Sequence, residues 1–140
     1  MKVAILDGYV DEPSCLGVPP YISPYPRYIW GMLKHLGADL CGYFTIDEFR
    51  KDEKVREKLS ECDILIVIAG AVVPGKYLGG VPLSKRELPR VACGRMNILV
   101  GPITLELSKN EREELLHQFE IVEFPFEERL FELLCNIFHA

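Results

Sequence analysis

Apolar and polar positions along the 140-residue chain follow two alternating patterns. Short, continuous apolar runs predict buried strands, and apolar residues at i, i+3, i+4 and i+7 predict amphipathic helices. The predicted strands are KVAIL (2–6), DLCGYF (39–44), DILIVIAG (63–70), NILVG (97–101) and FEIVEF (119–124). Helices are predicted over 27–37, within the charged stretch 47–63, over 84–94, over 108–118 and over 127–140.

Helix start and stop residues support these boundaries. A Ser or Thr followed three residues later by Glu predicts a capping box, which occurs at Thr45/Glu48, Ser84/Glu87 and Ser108/Glu111. Gly37 is placed to end the first helix, and Pro89 is expected to kink or shorten the third.

The regular alternation of strands and helices predicts an α/β fold with a five-stranded parallel sheet and right-handed crossovers. We expect the flavodoxin-like strand order 2-1-3-4-5, in a three-layer sandwich. No internal repeat or linker composition interrupts the pattern, so residues 1–140 are expected to form a single Rossmann-like domain.

Charge and composition narrow the function classes. The net charge of −5 argues against nucleic acid as a partner, because phosphate binding needs a basic surface. No apolar run reaches the roughly 18 residues of a membrane span, so no membrane association is expected. Five cysteines, at least 21 residues apart, have no metal-binding or redox spacing. The N-terminus reads as a strand and not as a signal peptide. Together with the cysteine spacing, this indicates a cytoplasmic protein without a metal site.

Unusually long connections follow the predicted strands 1, 3 and 4. They are 7–28, with five of the ten prolines, 69–84, with four of the eleven glycines, and 101–108. Because ligands bind at the carboxyl ends of parallel strands, these connections predict a binding face at one edge of the sheet. The candidate ligand-binding residues are Asp7, Gly8, Tyr9, Gly70, Ala71, Pro74, Gly75, Lys76, Tyr77, Gly79, Gly80, Gly101 and Pro102.

Aromatic and basic residues beside this edge suggest a docking surface, formed by Tyr21, Tyr25, Arg27 and Tyr28. Lys76 could meet an anion, although no GxxxxGK[ST] loop is present. Asp7, Asp11 and Glu12 could hold a cation or cap loop amides.

No catalytic set can be built from the loop residues. The three histidines, at positions 35, 117 and 139, fall on predicted helices away from the loop edge. Cys15 lies on that edge but has no nearby histidine to activate it.

The stretches DGYVDEPSCLGVPPYISPYPRYIWG and AGAVVPGKYLGGVPLS resemble the N-terminal domain of archaeal and bacterial radical S-adenosylmethionine proteins, over residues 1–105. That resemblance implies a cobalamin (B12)-binding-like domain and a radical S-adenosylmethionine catalytic domain as partner, in cis or in trans. The chain lacks the CxxxCxxC motif, so S-adenosylmethionine and the [4Fe–4S] cluster would belong to a catalytic domain missing from it. It also lacks the DxHxxG motif, so cobalamin would bind without a histidine ligand. The chain is then either excised from a longer protein or a stand-alone relative, and is not catalytic alone.

Two other functions fit the same residues. One is a structural interaction module whose proline-stiffened arm docks on a partner or on a second copy in a homodimer. The other is a small protein that binds a nucleotide or phosphorylated ligand through the glycine loop.

Overall fold

The computed structural model describes residues 1–8, 25–70 and 83–139, and it forms an α/β sandwich around a parallel sheet. The strands are β1 (Lys2–Asp7), β2 (Asp39–Thr45), β3 (Ile64–Ile68), β4 (Met96–Val100) and β5 (Glu120–Ile121). The helices are α1 (Tyr25–His35), α2 (Ile46–Lys51), α3 (Glu53–Ser60), α4 (Leu88–Val91), α5 (Lys109–Leu115) and α6 (Phe126–Phe138), with 3₁₀ turns at Lys85–Glu87 and Pro102–Glu106.

All neighbouring strands pair in parallel, in the order β2-β1-β3-β4-β5. The predicted α/β class and flavodoxin-like strand order are therefore confirmed. The central strand β3 is buried along its whole length, as its continuous apolar sequence requires between two helical layers.

Strand periodicity divides the core into two parts. One face of the sheet packs against α1 and α6, with Leu33 and Leu134 fully buried there. The opposite face packs against α2, α3, α4 and α5, where Leu59 and Leu88 are fully buried. Alternate residues of each strand contact the two helical layers, because successive side chains point to opposite faces of the sheet.

Three predicted elements differ from the structure. The helix predicted over 84–94 is a 3₁₀ turn (Lys85–Glu87) followed by the four-residue helix α4. The charged stretch 47–63 holds two helices, because Asp52 takes an extended conformation and its carboxylate accepts the Lys54 N–H. The last strand covers only Glu120–Ile121, whereas FEIVEF predicted six residues. Phe124 precedes Pro125, which lacks an N–H for a sheet ladder and stands directly before α6.

The helix boundaries otherwise follow local signals in the sequence. The three predicted capping boxes are all present. Gly37, with φ of +77°, follows the end of α1, and Pro89 lies in the first turn of the short helix α4. In β2, Val3 pairs with Leu40 and Ala4 with Gly42, which leaves Cys41 as the extra residue of a bulge.

Helices in the described part of the chain are too short, or not apolar enough, to cross a membrane.

Candidate functional site

The carboxyl ends of three adjacent strands meet at one level of the sheet. Asp7 in β1 pairs with Ile68 in β3, and Ile68 pairs with Val100 in β4. We call the residues at and just beyond these ends the carboxyl edge, which consists of Asp7, Gly8, Ala69, Gly70, Gly101 and Pro102. Two long connections leave from this edge, and their residues 9–24 and 71–82 lie outside the described part of the chain.

Gly8, which follows β1, is hydrogen-bonded through its backbone to the end of β3 and to Leu83. Its N–H donates to the Ile68 carbonyl at 2.7 Å, and its carbonyl accepts from the Leu83 N–H at 2.9 Å. A Cβ at this position would lie 2.5 Å from the Ile68 oxygen and 2.7 Å from the Leu83 Cβ. Glycine is therefore needed here for close approach of three backbone segments.

Gly101 makes the corresponding contact at the end of β4. Its φ of +119° disfavours any residue with a side chain, and a Cβ would lie 2.3 Å from the Ala69 oxygen. The Ala69 N–H donates to the Val100 carbonyl at 3.0 Å, and the Ala69 carbonyl accepts from Ile103 N–H at 3.2 Å. The edge therefore presents closely packed backbone at two of the predicted ligand-binding glycines.

Asp7 supplies the edge with a buried carboxylate, of which only 5% is exposed. The Tyr43 hydroxyl, from the neighbouring strand β2, donates a hydrogen bond to this carboxylate. Tyr43 was not a predicted site residue. The only sequence feature that points to it is its place near the end of the strand predicted to neighbour β1. The pair combines a carboxylate that accepts hydrogen bonds with a partly exposed phenol beside it.

An ion pair fixes the chain just beyond residue 83. Arg50, at the end of α2, donates to Glu87 through Nε at 2.9 Å and Nη2 at 2.6 Å. This two-bond contact lowers the pKa of Glu87, and bonds from Ser84 lower it further. The second long connection therefore ends at a well-anchored turn.

A second arginine fixes the segment after β4. Arg112 in α5 donates to the Thr104 carbonyl at 2.8 Å and pairs with Glu123, which follows β5. The Thr104 hydroxyl in turn donates to the Gly101 carbonyl at 2.9 Å. The positions of Gly101 and Pro102 are therefore supported by side chains from a neighbouring helix.

Aromatic rings lie beside the carboxyl edge where α1 and α6 begin. Tyr25 contacts Phe126 edge-to-face at 6.4 Å between ring centroids, and Phe124 contacts Phe126 in the same manner at 5.6 Å. These rings line a recess of about 260 Å³ together with Pro125, Glu127 and Glu128. Phe124 and Phe126 were missed by sequence reasoning, because FEIVEF, which ends at Phe124, was assigned to a strand and Phe126 falls between that strand and the predicted helix 127–140.

The other predicted docking residues lie on α1, where Arg27 and Tyr28 are both exposed. Among predicted ligand-binding residues, Gly70 and Pro102 are half-buried at the edge. The remaining candidates fall outside the described residues: Tyr9, Tyr21, Ala71, Pro74, Gly75, Lys76, Tyr77, Gly79 and Gly80, with Asp11, Glu12 and Cys15.

The histidines lie away from the carboxyl edge. His35 ends α1, His117 follows α5, and His139 follows α6. Each of these helices starts near the carboxyl edge and therefore ends near the opposite edge of the sheet. Among residues 1–8, 25–70 and 83–139, no three His, Cys, Asp or Glu side chains are grouped so as to hold a metal ion.

The described cysteines have the properties of structural residues. Burial and the neighbouring Cys41 thiol raise the pKa of Cys62 to about 12, and burial raises the pKa of Cys93. All four described cysteines, Cys41, Cys62, Cys93 and Cys135, are free thiols.

Comparison with known proteins gives relatives but no family: no known family profile matches the chain. An uncharacterized protein of Archaeoglobus fulgidus is 58% identical over 135 residues, which make up 96% of this chain and 25% of that protein. An uncharacterized protein of Methanocaldococcus jannaschii is 42% identical over 103 residues, or 72% of this chain and 19% of that protein. The chain therefore spans a quarter or less of the length of these curated relatives.

Proposed function

We propose that this chain is a ligand-binding domain that works as part of a larger assembly, with the carboxyl edge as its ligand surface. The observation that carries the proposal is the pair of close backbone contacts at Gly8 and Gly101. A Cβ at Gly8 would meet Ile68 and Leu83, and one at Gly101 would meet Ala69, so the two glycines hold three strand ends and the segments that follow them close together at this edge. This edge is also where open α/β sheets generally bind ligands.

The surroundings of the edge favour an organic ligand with a flat part and hydrogen-bonding groups. Asp7 places a carboxylate, which accepts hydrogen bonds, at this edge beside the Tyr43 hydroxyl. The rings beside the edge, half-buried Tyr25 and exposed Phe124, offer surfaces for stacking. The recess that they line adds space of about 260 Å³ next to the backbone platform.

Cobalamin is the specific ligand suggested by the resemblance to radical S-adenosylmethionine proteins. The residues present fit it in a form that takes no histidine from this chain, since all three histidines lie toward the opposite edge. Gly8, Gly101 and Asp7 would hold its amide-bearing periphery. When bound, cobalamin supplies group-transfer chemistry at cobalt. The chain's own contribution is to bind the corrinoid, orient it and present it to a catalytic domain.

The length of the two relatives suggests that this chain works in a larger assembly. Both relatives continue well beyond the region that matches this chain. A radical S-adenosylmethionine catalytic domain, in cis or in trans, is the partner that the resemblance implies. A CxxxCxxC motif in the matching reading frame of the longer proteins would support this partner, and its absence there would remove it.

The ligand proposal is tested by reconstitution with hydroxocobalamin. We expect the desalted protein to retain about one corrinoid per chain, visible in its absorption spectrum. Asp7→Asn should weaken binding about tenfold or more, as expected for loss of a hydrogen bond to a charged group. His117→Gln, near the opposite edge, is the matched control and should bind like the parent chain.

Absence of retained corrinoid from the folded parent chain would remove cobalamin from the proposal. A urea unfolding curve of Asp7→Asn is needed beside the binding measurement, because Asp7 is buried and its loss could lower stability. Equal binding by Asp7→Asn and the parent chain would show that the corrinoid is not held at this edge.

An interaction module remains the second candidate function, favoured by exposed aromatic rings near the edge. Phe124 is 66% exposed and Tyr28 is 51% exposed, whereas most large apolar side chains of the described residues are buried. Such rings are typical anchors of protein interfaces.

Nucleotide retained through purification would instead favour the phosphate-binding alternative, which depends on Lys76 and the glycines of the undescribed segment 71–82.

A further inference from the structure

The outer surface of α1 and α6, on the side turned away from the sheet, has features that the folding of the domain does not require. Ile29 and Leu33 anchor α1 to the sheet, and Leu130 and Leu134 anchor α6. The opposite sides of both helices are exposed. We define the α1–α6 surface by its exposed residues Arg27, Tyr28, Gly31, Lys34, Glu128, Phe131 and Glu132.

Gly31 is the first unusual feature of this surface. It lies in the interior of α1, and a Cβ placed on it would meet no atom within 4 Å. Its φ is not positive, so neither backbone conformation nor close packing within the domain calls for glycine. Glycine weakens an exposed helix relative to alanine. Its effect here is to leave a notch where another element can approach the α1 backbone.

Two exposed aromatic rings lie on the same surface as this notch. Tyr28 on α1 is 51% exposed, and Phe131 on α6 is 37% exposed. Phe131 lies beside the end of α1, with its ring centroid 6.5 Å from that of His35. A notch and exposed rings on one surface would allow a second copy of that surface to bring a ring close to the α1 backbone.

The charges on the two helices are complementary as well. Helix α1 carries Arg27 and Lys34 and contains no acidic residue, in a chain whose net charge is −5. Helix α6 carries Glu127, Glu128 and Glu132 against the single basic residue Arg129. A basic helix thus lies next to an acidic one. A two-fold axis can therefore place each basic helix against the acidic helix of another copy.

We propose that the α1–α6 surface binds the same surface of a second copy of this chain. Both helices follow parallel strands and run in the same direction. Tyr25 lies beside Phe126, and His35 beside Phe131. A two-fold axis parallel to the helices then places Arg27 and Lys34 near Glu128 and Glu132 of the second copy. Phe131 of that copy, which lies at the level of His35, then comes within about one helical turn of the Gly31 notch.

This dimer does not rest on ligand binding at the carboxyl edge. Its test is the mass of the intact chain by sedimentation equilibrium, over a wide concentration range and at low salt. We expect association to twice the chain mass of 15.9 kDa. Gly31→Leu should fill the notch and weaken association at least about tenfold. Leu116→Asn changes another exposed apolar residue, outside this surface, and should leave association unchanged.

Charge reversal tests the pairing of the two helices. Lys34→Glu alone and Glu132→Lys alone should each weaken the dimer, and the double variant should recover most of its affinity. Circular dichroism and hydroxocobalamin retention should be unchanged in all of these variants.

Two results would overturn the proposal: a chain that stays monomeric at every concentration, or a dimer whose affinity is the same in Gly31→Leu and Lys34→Glu as in the parent chain. A monomer that binds corrinoid would refute the dimer alone. A dimer without corrinoid binding would refute only the cobalamin part of the proposed function.

Discussion

Short, locally capped helices cover one face of the sheet, and two longer helices cover the other. On the α2–α5 face, Thr45, Asp52 and Ser108 accept backbone N–H groups at helix starts. Ion pairs from Arg50 and Arg112 join that layer to segments beyond the strands. On the other face, α6 has Pro125 at its N-cap position and no side-chain cap, and α1 and α6 have 11 and 13 residues.

This difference shows two ways of holding a helical layer on a sheet. Helices of four to eight residues are only marginally stable by themselves, so caps and ion pairs add the stability that their short length does not provide. Longer helices with a continuous apolar side depend mainly on packing, and their outer sides are left free for other contacts. The face with fewer polar attachments is also the one that carries exposed aromatic residues.

The largest effect is expected where the two layers meet, at the carboxyl edge. Gly101→Val places a Cβ 2.3 Å from the Ala69 oxygen at a φ of +119°, and should destabilise the chain by about 3 kcal/mol or more. Urea unfolding measures this loss. Gly31→Ala, in open space, is the control and should stabilise the chain by up to about 1 kcal/mol. Equal stability of Gly101→Val and the parent would contradict the described edge.

A core truncation under α1 should have the next largest effect. Leu33→Ala removes a fully buried side chain from the packing on which that layer depends, and should destabilise it by about 3 kcal/mol. Thermal or urea unfolding gives the value. A loss of unfolding free energy smaller than the roughly 1 kcal/mol expected for one helix cap would mean that α1 is held by something other than its apolar side.

Loss of the Arg50–Glu87 ion pair should have a smaller, pH-dependent effect on the opposite face. Arg50→Ala is expected to lower stability at neutral pH by about 1 kcal/mol, since the pair is partly exposed. The folded-state pKa of Glu87 lies below its ordinary value of 4.5. Its contribution is therefore complete above that value and is lost as the pH falls through the lowered pKa.

The variant should consequently lose less stability than the parent when both are acidified below about pH 4.5. Urea midpoints across this range are the measurement. Parallel curves for the two proteins would show that the ion pair does not determine the titration of Glu87.

Removal of one helix cap should cost less than a core truncation. Ser108→Ala deprives the Glu111 N–H of its acceptor at 3.1 Å and should destabilise the chain by about 1 kcal/mol. Ser108→Asn, which can still cap, is the control for the substitution itself. A negligible loss would argue that α5 is held by packing, as α1 and α6 are.

The smallest effect is expected on the outer side of α1. Tyr28→Ser should change the stability of the monomeric chain by no more than about 0.5 kcal/mol, because Tyr28 is 51% exposed. Unfolding at a concentration too low for self-association is the measurement. A larger loss would place Tyr28 among the residues that hold the domain together.

Much of the fold could be predicted from local features. The apolar run of β3 indicated a central strand, and Ser or Thr followed by Glu located three helix starts. The break at Asp52 was less evident, because charged residues continue on both sides and the carboxylate that caps α3 is one of many in this stretch. The short β5 was overestimated because apolar alternation continues through Phe124, beyond the paired residues.

The candidate site was predictable in position but not in its contacts. Parallel strands with long connections identify the edge at which a ligand would bind. The Tyr43–Asp7 hydrogen bond joins residues 36 positions apart, and the Gly101–Ala69 contact depends on strand pairing. Such contacts follow from tertiary geometry, which local periodicity does not encode.

Both outer strands of the sheet are poor templates for a further strand. The bulge at Cys41 interrupts the regular hydrogen-bonding edge of β2, and β5 offers only two residues. A long, flat edge would invite strand addition and aggregation, whereas these edges offer few consecutive unpaired groups. We therefore expect other chains to bind this domain through its helices and loops, and not by adding a strand to its five-stranded sheet.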